Sequence, residues 1–138
     1  EIIIPLSIKS IGNKSFEGCS SLTQITIPSS VISIGHSAFR GCSLLTQITI
    51  PSSVTTIKSY AFYSCKSLGQ ITLPSSIASI EDSTFYNCSS LTQITIPSSI
   101  SIKKHAFHNC SSLKQITIPS NVRIIKDTFS SSLEVAII

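Results

Sequence analysis

Proline constrains this chain more than any other residue, because it returns at positions 5, 28, 51, 74, 97 and 119, a step of 23 residues and once of 22. Phenylalanine keeps the same beat at 16, 39, 62, 85, 107 and 129, cysteine at 19, 42, 65, 88 and 110, and leucine at 22, 45, 68, 91, 113 and 133. Self-similarity at a fixed period of this length predicts a solenoid, in which each repeat is one unit stacked on the next. One unit reads Cys-x-x-Leu-x-x-Ile-x-Ile-Pro-x-x-Val-x-x-Ile-x-x-x-Ala-Phe, and residues 42–62 carry all of it.

Each unit has a physical reading. Gln47-Ile48-Thr49-Ile50 alternates polar and apolar and is β-branched, which predicts a half-buried strand. Pro51 ends the ladder, since it has no N–H to donate, and Ser52-Ser53 forms a turn. Val54 and Ile57 then point inward on the return, Ala61-Phe62 packs the outer side, and Cys65 and Leu68 lead into the next strand. The expected strands are 2–4, 25–27, 48–50, 71–73, 94–96, 116–118 and 136–138, seven in one parallel sheet. A short second strand is expected near Ile34, Ile57 and Ile80, and no stretch suits a good helix. A lone unit buries too little to hold itself together, so stacking must cover its apolar edges. Residues 1–138 therefore read as a single mainly-β solenoid domain, opening and closing in a strand as a piece of a longer array does. The last two coils are shorter by one residue each, in turns, where deletions are tolerated.

Only 12% of the residues are charged against 41% hydrophobic, and Ser, Thr and Gln supply the polarity. The net charge is +4, with the 10 basic residues spread along the chain rather than gathered on one face, which argues against nucleic acid as partner. Pro or Ser interrupts every apolar run well before the roughly 18 residues that a membrane span needs.

The core Leu-x-x-Ile-x-Ile-Pro-x-x-Val-x-x-Ile followed by Ala-Phe-x-x-Cys, complete in Leu45 to Cys65, resembles the BspA-like class of leucine-rich repeats. The resemblance covers essentially the whole chain. It implies a leucine-rich-repeat solenoid; from the residues themselves no enzyme activity and no cofactor are expected. It also implies a surface-associated adhesion or protein-interaction role, as in bacteria and parasitic protists.

Two surfaces are candidates for binding. On the strands, Gln24, Gln47, Gln70, Gln93 and Gln115 and Thr26, Thr49, Thr72, Thr95 and Thr117 point outward as two ladders of neutral hydrogen-bonding groups. Within them Gln47, Thr49, Gln70, Thr72, Gln93 and Thr95 are the central candidates, facing a protein segment or a glycan. The competing reading is that Thr favours strands, Gln solvates them, and their side-chain ladders stabilise the stack. Ice binding is disfavoured, because only one Thr rank is present beside flexible Gln. On the outer turns, the position after each Phe holds Glu17, Arg40, Tyr63, Tyr86, His108 and Ser130. Tyr63, Tyr86 and His108 then form an aromatic stripe over three coils, with Tyr60 and His105 beside it. Exposed aromatics anchor many interfaces, and ordinary packed turn aromatics give the same pattern. Lys103, Lys104, Arg123 and Lys126 form a modest basic patch that also suits a solvated face.

The cysteines sit beside leucine at the repeat period and read as small core residues. No Cys-x-x-Cys pair suggests zinc, and His105 and His108, three apart in a turn, lack an evident third ligand, so no metal site is expected. Buried thiols favour a reducing compartment, whereas Asn13, Asn87 and Asn109 each open an Asn-x-Ser glycosylation pattern that a Ser-rich chain also produces by chance. No Gly-x-Ser-x-Gly elbow or Gly-rich phosphate loop points to catalysis. The compartment stays open, with the cell surface favoured by the resemblance. The apolar end strands 2–4 and 136–138 are open edges and predict homodimerisation.

Overall fold

The computed structural model describes residues 2–125, 127–130 and 133–138. These form short parallel strands of two kinds, numbered here in chain order. The front strands are β2 (Gln24–Thr26), β4 (Gln47–Thr49), β6 (Gln70–Thr72), β8 (Gln93–Thr95), β10 (Gln115–Ile118) and β12 (Glu134–Ile137). The back strands are β1 (Ser10–Ile11), β3 (Ser33–Ile34), β5 (Thr56–Ile57), β7 (Ser79–Ile80), β9 (Ser101–Ile102) and β11 (Arg123–Ile124). The chain thus winds as a β-solenoid, with no helix among the described residues.

Equivalent residues stack on one another. Gln24, Ile25 and Thr26 pair with Gln47, Ile48 and Thr49, and Gln70, Ile71 and Thr72 with Gln93, Ile94 and Thr95. The front ladder is hydrogen-bonded two strands at a time, β2–β4, β6–β8 and β10–β12. At one seam the Gly69 N–H still donates to the Thr46 carbonyl, 3.3 Å away. The front strands β2, β4, β6 and β8 begin at Gln and close at Thr, one residue ahead of the expected span. At the amino-terminal end Ile3 makes a single parallel bridge to Thr26 instead of a full strand over 2–4. Near the other end Ile116 pairs with Val135, so the last strand sits over 134–137 rather than 136–138, as the shortened final coil requires.

Burial follows the repeat. Ile25, Ile48, Ile71 and Ile116 are buried from the front, Ile34, Ile57, Ile80 and Ile102 from the back, and Leu45, Leu68 and Leu91 between them. Phe39, Phe62, Phe85 and Phe107 are sealed inside the outer arc. With Phe16 and Phe129 they make one column of parallel rings, centroids 5.2 to 5.7 Å apart and planes within 3 to 11°. Each interior ring thus touches a ring on both faces, at separations where offset stacking is favourable.

The outer arc explains which residues reach the surface beyond that column. In residues 58–68, Ala61, Tyr63, Cys65 and Leu68 donate their N–H three residues back, to Lys58, Tyr60, Phe62 and Cys65. Tyr60, Phe62 and Ser64 instead donate to Asp82, Thr84 and Tyr86 of the next coil, at 3.1, 3.0 and 2.8 Å. Alternate amides therefore point around the coil and along the stack, so the arc is satisfied without a regular ladder. This alternation places left-handed residues two before and two after each of the first five phenylalanines: Lys14 and Gly18, Ser37 and Gly41, Tyr60 and Ser64, Ser83 and Asn87, His105 and Asn109; Asp127 stands likewise two before Phe129. Gly18, Gly41, Asn87 and Asn109 are residue types that adopt this conformation readily. Tyr60, at φ 63°, is a bulky residue that rarely does, whereas His105, at φ 58°, is of a type found there more often.

Candidate interaction surface

Along the outer edge, the position after each phenylalanine carries one continuous stack. The Glu17 carboxylate lies 4.0 Å from Arg40 Nε. The Arg40 guanidinium carbon sits 4.9 Å from the centre of the Tyr63 ring, a cation–π distance. Tyr63 stacks on Tyr86 at 4.9 Å with the planes 7° apart, and Tyr86 packs against His108 at 5.1 Å with the planes tilted by 30°. The stripe expected from Tyr63, Tyr86 and His108 therefore exists as direct ring contact.

A second row lies two or three residues before each phenylalanine. His36 meets Tyr60 edge-on at 5.4 Å, Tyr60 meets Tyr63 at 5.6 Å, and His105 meets His108 at 5.4 Å. The six rings and the guanidinium form one ridge across four coils, every ring half-buried. Periodicity after the phenylalanine did not reveal His36, because it stands three residues before Phe39, outside that column. Nor did it reveal the left-handed backbone at Tyr60 and His105. The glycines and asparagines that hold the matching position after the phenylalanine are the one hint of such turns. Among the described residues, none of the three phenol hydroxyls or three imidazoles has a protein hydrogen-bond partner.

The strand face is as regular as the repeat implies. Gln47, Gln70 and Gln93 are exposed, as are Thr49, Thr72 and Thr95. Shallow depressions run along it, one between Gln47, Thr49, Gln70 and Thr72, another between Gln70, Gln93, Thr46 and Thr92. No hydrogen bond joins these outward Gln and Thr side chains to one another among the described residues. The stack is knitted elsewhere: Thr46 and Thr92 hydroxyls donate to the Thr23 and Gly69 carbonyls of the preceding coil, and Ser67 and Ser112 to Ser43 and Ser89. The Gln and Thr candidates lie on one face and Tyr63, Tyr86 and His108 on the outer arc, so the two sets are not brought together.

The cysteines are free thiols of the core. Cys42, Cys65, Cys88 and Cys110 each donate from Sγ to the carbonyl of a phenylalanine one coil earlier, Phe16, Phe39, Phe62 and Phe85, at 3.1 to 3.2 Å. Burial pushes the Cys42 thiol up to about 11 and Cys110 to about 12, and raises Cys65 and Cys88 well above the ordinary thiol value. Such thiols are poor nucleophiles. Of the three Asn-x-Ser positions, the Asn13 side chain accepts the His36 N–H and Asn87 donates to Ser64 Oγ, while Asn109 is exposed. In the basic patch Lys104 and Arg123 are exposed; Lys126 lies outside the described residues.

Parallel stacked strands, a phenylalanine column and a leucine-lined interior define a leucine-rich-repeat solenoid. The family model for the BspA type leucine rich repeat region matches residues 9–136 in 6 copies, and the chain belongs to that family. Among solved structures it is similar to a leucine rich cell surface protein of Faecalibacterium prausnitzii, at 38% identity and TM-score 0.84, over 96% of this chain and 37% of that one. It is also similar to a leucine-rich repeat protein of Bacteroides ovatus, at 30% identity and TM-score 0.80, over 99% of this chain and 42% of that one. The T. pallidum leucine-rich repeat protein matches at 27% identity and TM-score 0.79, over 98% of this chain and 72% of that one. No curated protein matches the chain. Among the described residues no helix is long and apolar enough to cross a membrane.

Proposed function

We propose that this chain is a non-catalytic interaction module that engages a protein partner through its outer aromatic ridge. The observation that carries this reading is the pair Tyr60 and His105. Equivalent positions in other coils hold Lys14, Ser37, Ser83 and Asp127, so the fold does not demand a ring there. Each ring accepts a left-handed backbone, which costs an ordinary residue roughly 1–2 kcal/mol, and delivers its edge to the ridge. Lys14, Ser37 and Ser83 share that backbone, so what is particular to these two coils is the ring and not the strain.

The form of the ridge favours protein over glycan. A sugar stacks on a free aromatic face, whereas Tyr63 has Arg40 and Tyr86 on its two sides and Tyr86 has Tyr63 and His108. With those faces covered, contact is left to the edges of half-buried rings already fixed by packing. Tyr, His and Arg so held make strong anchors because little side-chain entropy is left to lose. The similar Faecalibacterium prausnitzii protein is a cell surface protein, and the same setting, with adhesion as outcome, is proposed here. The alternative is a spacer that holds other domains apart and has no ligand of its own; the monotony of the Gln and Thr ladders supports it for the strand face.

Affinity capture separates these readings. Wild type is compared with Tyr63→Ser, Tyr86→Ser and His108→Ser together, and with Thr49→Lys, Thr72→Lys and Thr95→Lys together. A partner retained by the Thr variant and lost by the ring variant, both folded by circular dichroism, supports the ridge. Loss from the Thr variant alone moves the site to the strand face. No partner of wild type from lysate or cell-surface extract supports the spacer.

A further inference from the structure

We infer that His105 and His108 form a two-imidazole site for a divalent transition-metal ion on the edge of the ridge. The inference stands apart from the interaction reading, since the site needs no partner. His105 and His108 flank Phe107 in one turn, and their ring centroids are 5.4 Å apart with the planes tilted by 57°. A metal bound to an imidazole nitrogen at about 2.0–2.1 Å lies about 3.2 Å from the ring centre, so two imidazoles at a tetrahedral angle have centroids about 5.2 Å apart. The observed separation is within a few tenths of an ångström of that value.

Both rings are held in place before any ion arrives. Tyr86 packs against His108 at 5.1 Å with the planes tilted by 30°, and receives His105 edge-on at 6.2 Å and 79°. The left-handed backbone of His105, fixed by its N–H donating to the Asp127 carbonyl at 2.9 Å, turns its ring toward His108. Neither imidazole has a hydrogen-bond partner among the described residues, and both are half-buried rather than sealed. His36, the other histidine of the chain, packs on Tyr60 and has no imidazole beside it.

Among the described residues no three of His, Cys, Asp and Glu come together as ligands. The site is therefore open, with two protein nitrogens and the remaining positions left to water. Nitrogen ligands select Cu(II), Ni(II) and Zn(II) over Mg(II) and Ca(II), with Cu(II) bound most tightly. Half of a full ligand set places the Zn(II) dissociation constant roughly in the micromolar to sub-millimolar range. The vacant positions would accept a donor from another molecule.

Proton NMR of the histidine rings tests this directly, because the chain has only 3 histidines. The whole chain is titrated with zinc chloride at neutral pH, and signals are assigned with His36→Asn, His105→Asn and His108→Asn. The expected result is that His105 and His108 signals shift together and saturate at one ion per chain, while His36 stays still. His105→Asn and His108→Asn should each weaken binding at least tenfold, and His36→Asn should leave it unchanged. Equal shifts at all three histidines, or no saturation below millimolar zinc, overturns the site. Circular dichroism of each variant separates lost ligation from lost fold.

Discussion

Tyr63 and Tyr86 stand 23 residues apart in sequence and lie ring on ring, 4.9 Å between centroids and 7° from parallel. Tyr63 sits just outside Phe62, which stacks on Phe85 at 5.6 Å in the same register. The solenoid thus carries two aromatic columns, one sealed and one at the surface. The inner column recurs in every coil because the core needs it. The outer one is confined to the coils where the sequence supplies rings.

If Tyr60 and His105 serve the ridge rather than the fold, removing them should cost little stability. Glycine relieves the left-handed strain, worth about 1–2 kcal/mol, against lost ring contacts of about 0.5–1.5 kcal/mol. Tyr60→Gly and His105→Gly should each stay within about 1 kcal/mol of wild type in urea unfolding while weakening partner binding. A loss of several kcal/mol would make the rings structural instead.

The buried thiols make stability depend on alkaline pH. Burial raises the folded pKa of Cys42, Cys65, Cys88 and Cys110 above the ordinary thiol value. Above about pH 9 the unfolded chain releases protons that the folded chain keeps, so stability is full below that pH and falls as pH rises toward the folded values. Each thiol contributes a slope of about 1.4 kcal/mol per pH unit in that window. Urea midpoints between about pH 8 and 10.5 should fall steeply for wild type and more shallowly when all four are alanine. Equal slopes would show the thiols are not protected.

Gly35 is required for space. A Cβ there would lie 2.6 Å from the Asn13 backbone nitrogen and 2.7 Å from the Gly12 carbonyl carbon, both backbone atoms of the preceding coil. Gly35→Ala should destabilise by about 1–3 kcal/mol, the usual range for forced overpacking. Gly69→Ala, where nothing lies within 4 Å, should be nearly neutral. Thermal melts of the two variants side by side decide this.

The end coils expose apolar side chains, Ile3 at 82% and Leu6 at 75% on one side, Ile137 at 63% and Ile138 at 75% on the other. We propose that this chain self-associates through them. Light scattering should show mass rising with concentration, and Ile3→Lys with Ile137→Lys should return it to a monomer. A strict monomer for wild type at high concentration would refute it.

The two candidate surfaces differ in how much of each is legible in the sequence. Period alone placed Ile48 inward and Thr49 outward, because a strand alternates its faces and Pro51 marks where it stops. Period also placed Tyr63, Tyr86 and His108 in one column, since identical coils stack equivalent residues. It did not show that their rings touch, that Arg40 caps them, or that His36 joins from another position. Those facts depend on side-chain direction and on contact between coils.

What the sequence by itself determined is the coil: its length, its buried isoleucines and leucines, its phenylalanine column and its solvent-facing Gln and Thr ranks. These follow from local pattern repeated at one period, and a repeat has one way to stack on its copy. Tertiary structure alone decided the left-handed backbone at Tyr60 and His105, because the amides that impose it find their acceptors on the next coil, at Asp82 and Asp127. The approach of His105 to His108 follows from that same backbone.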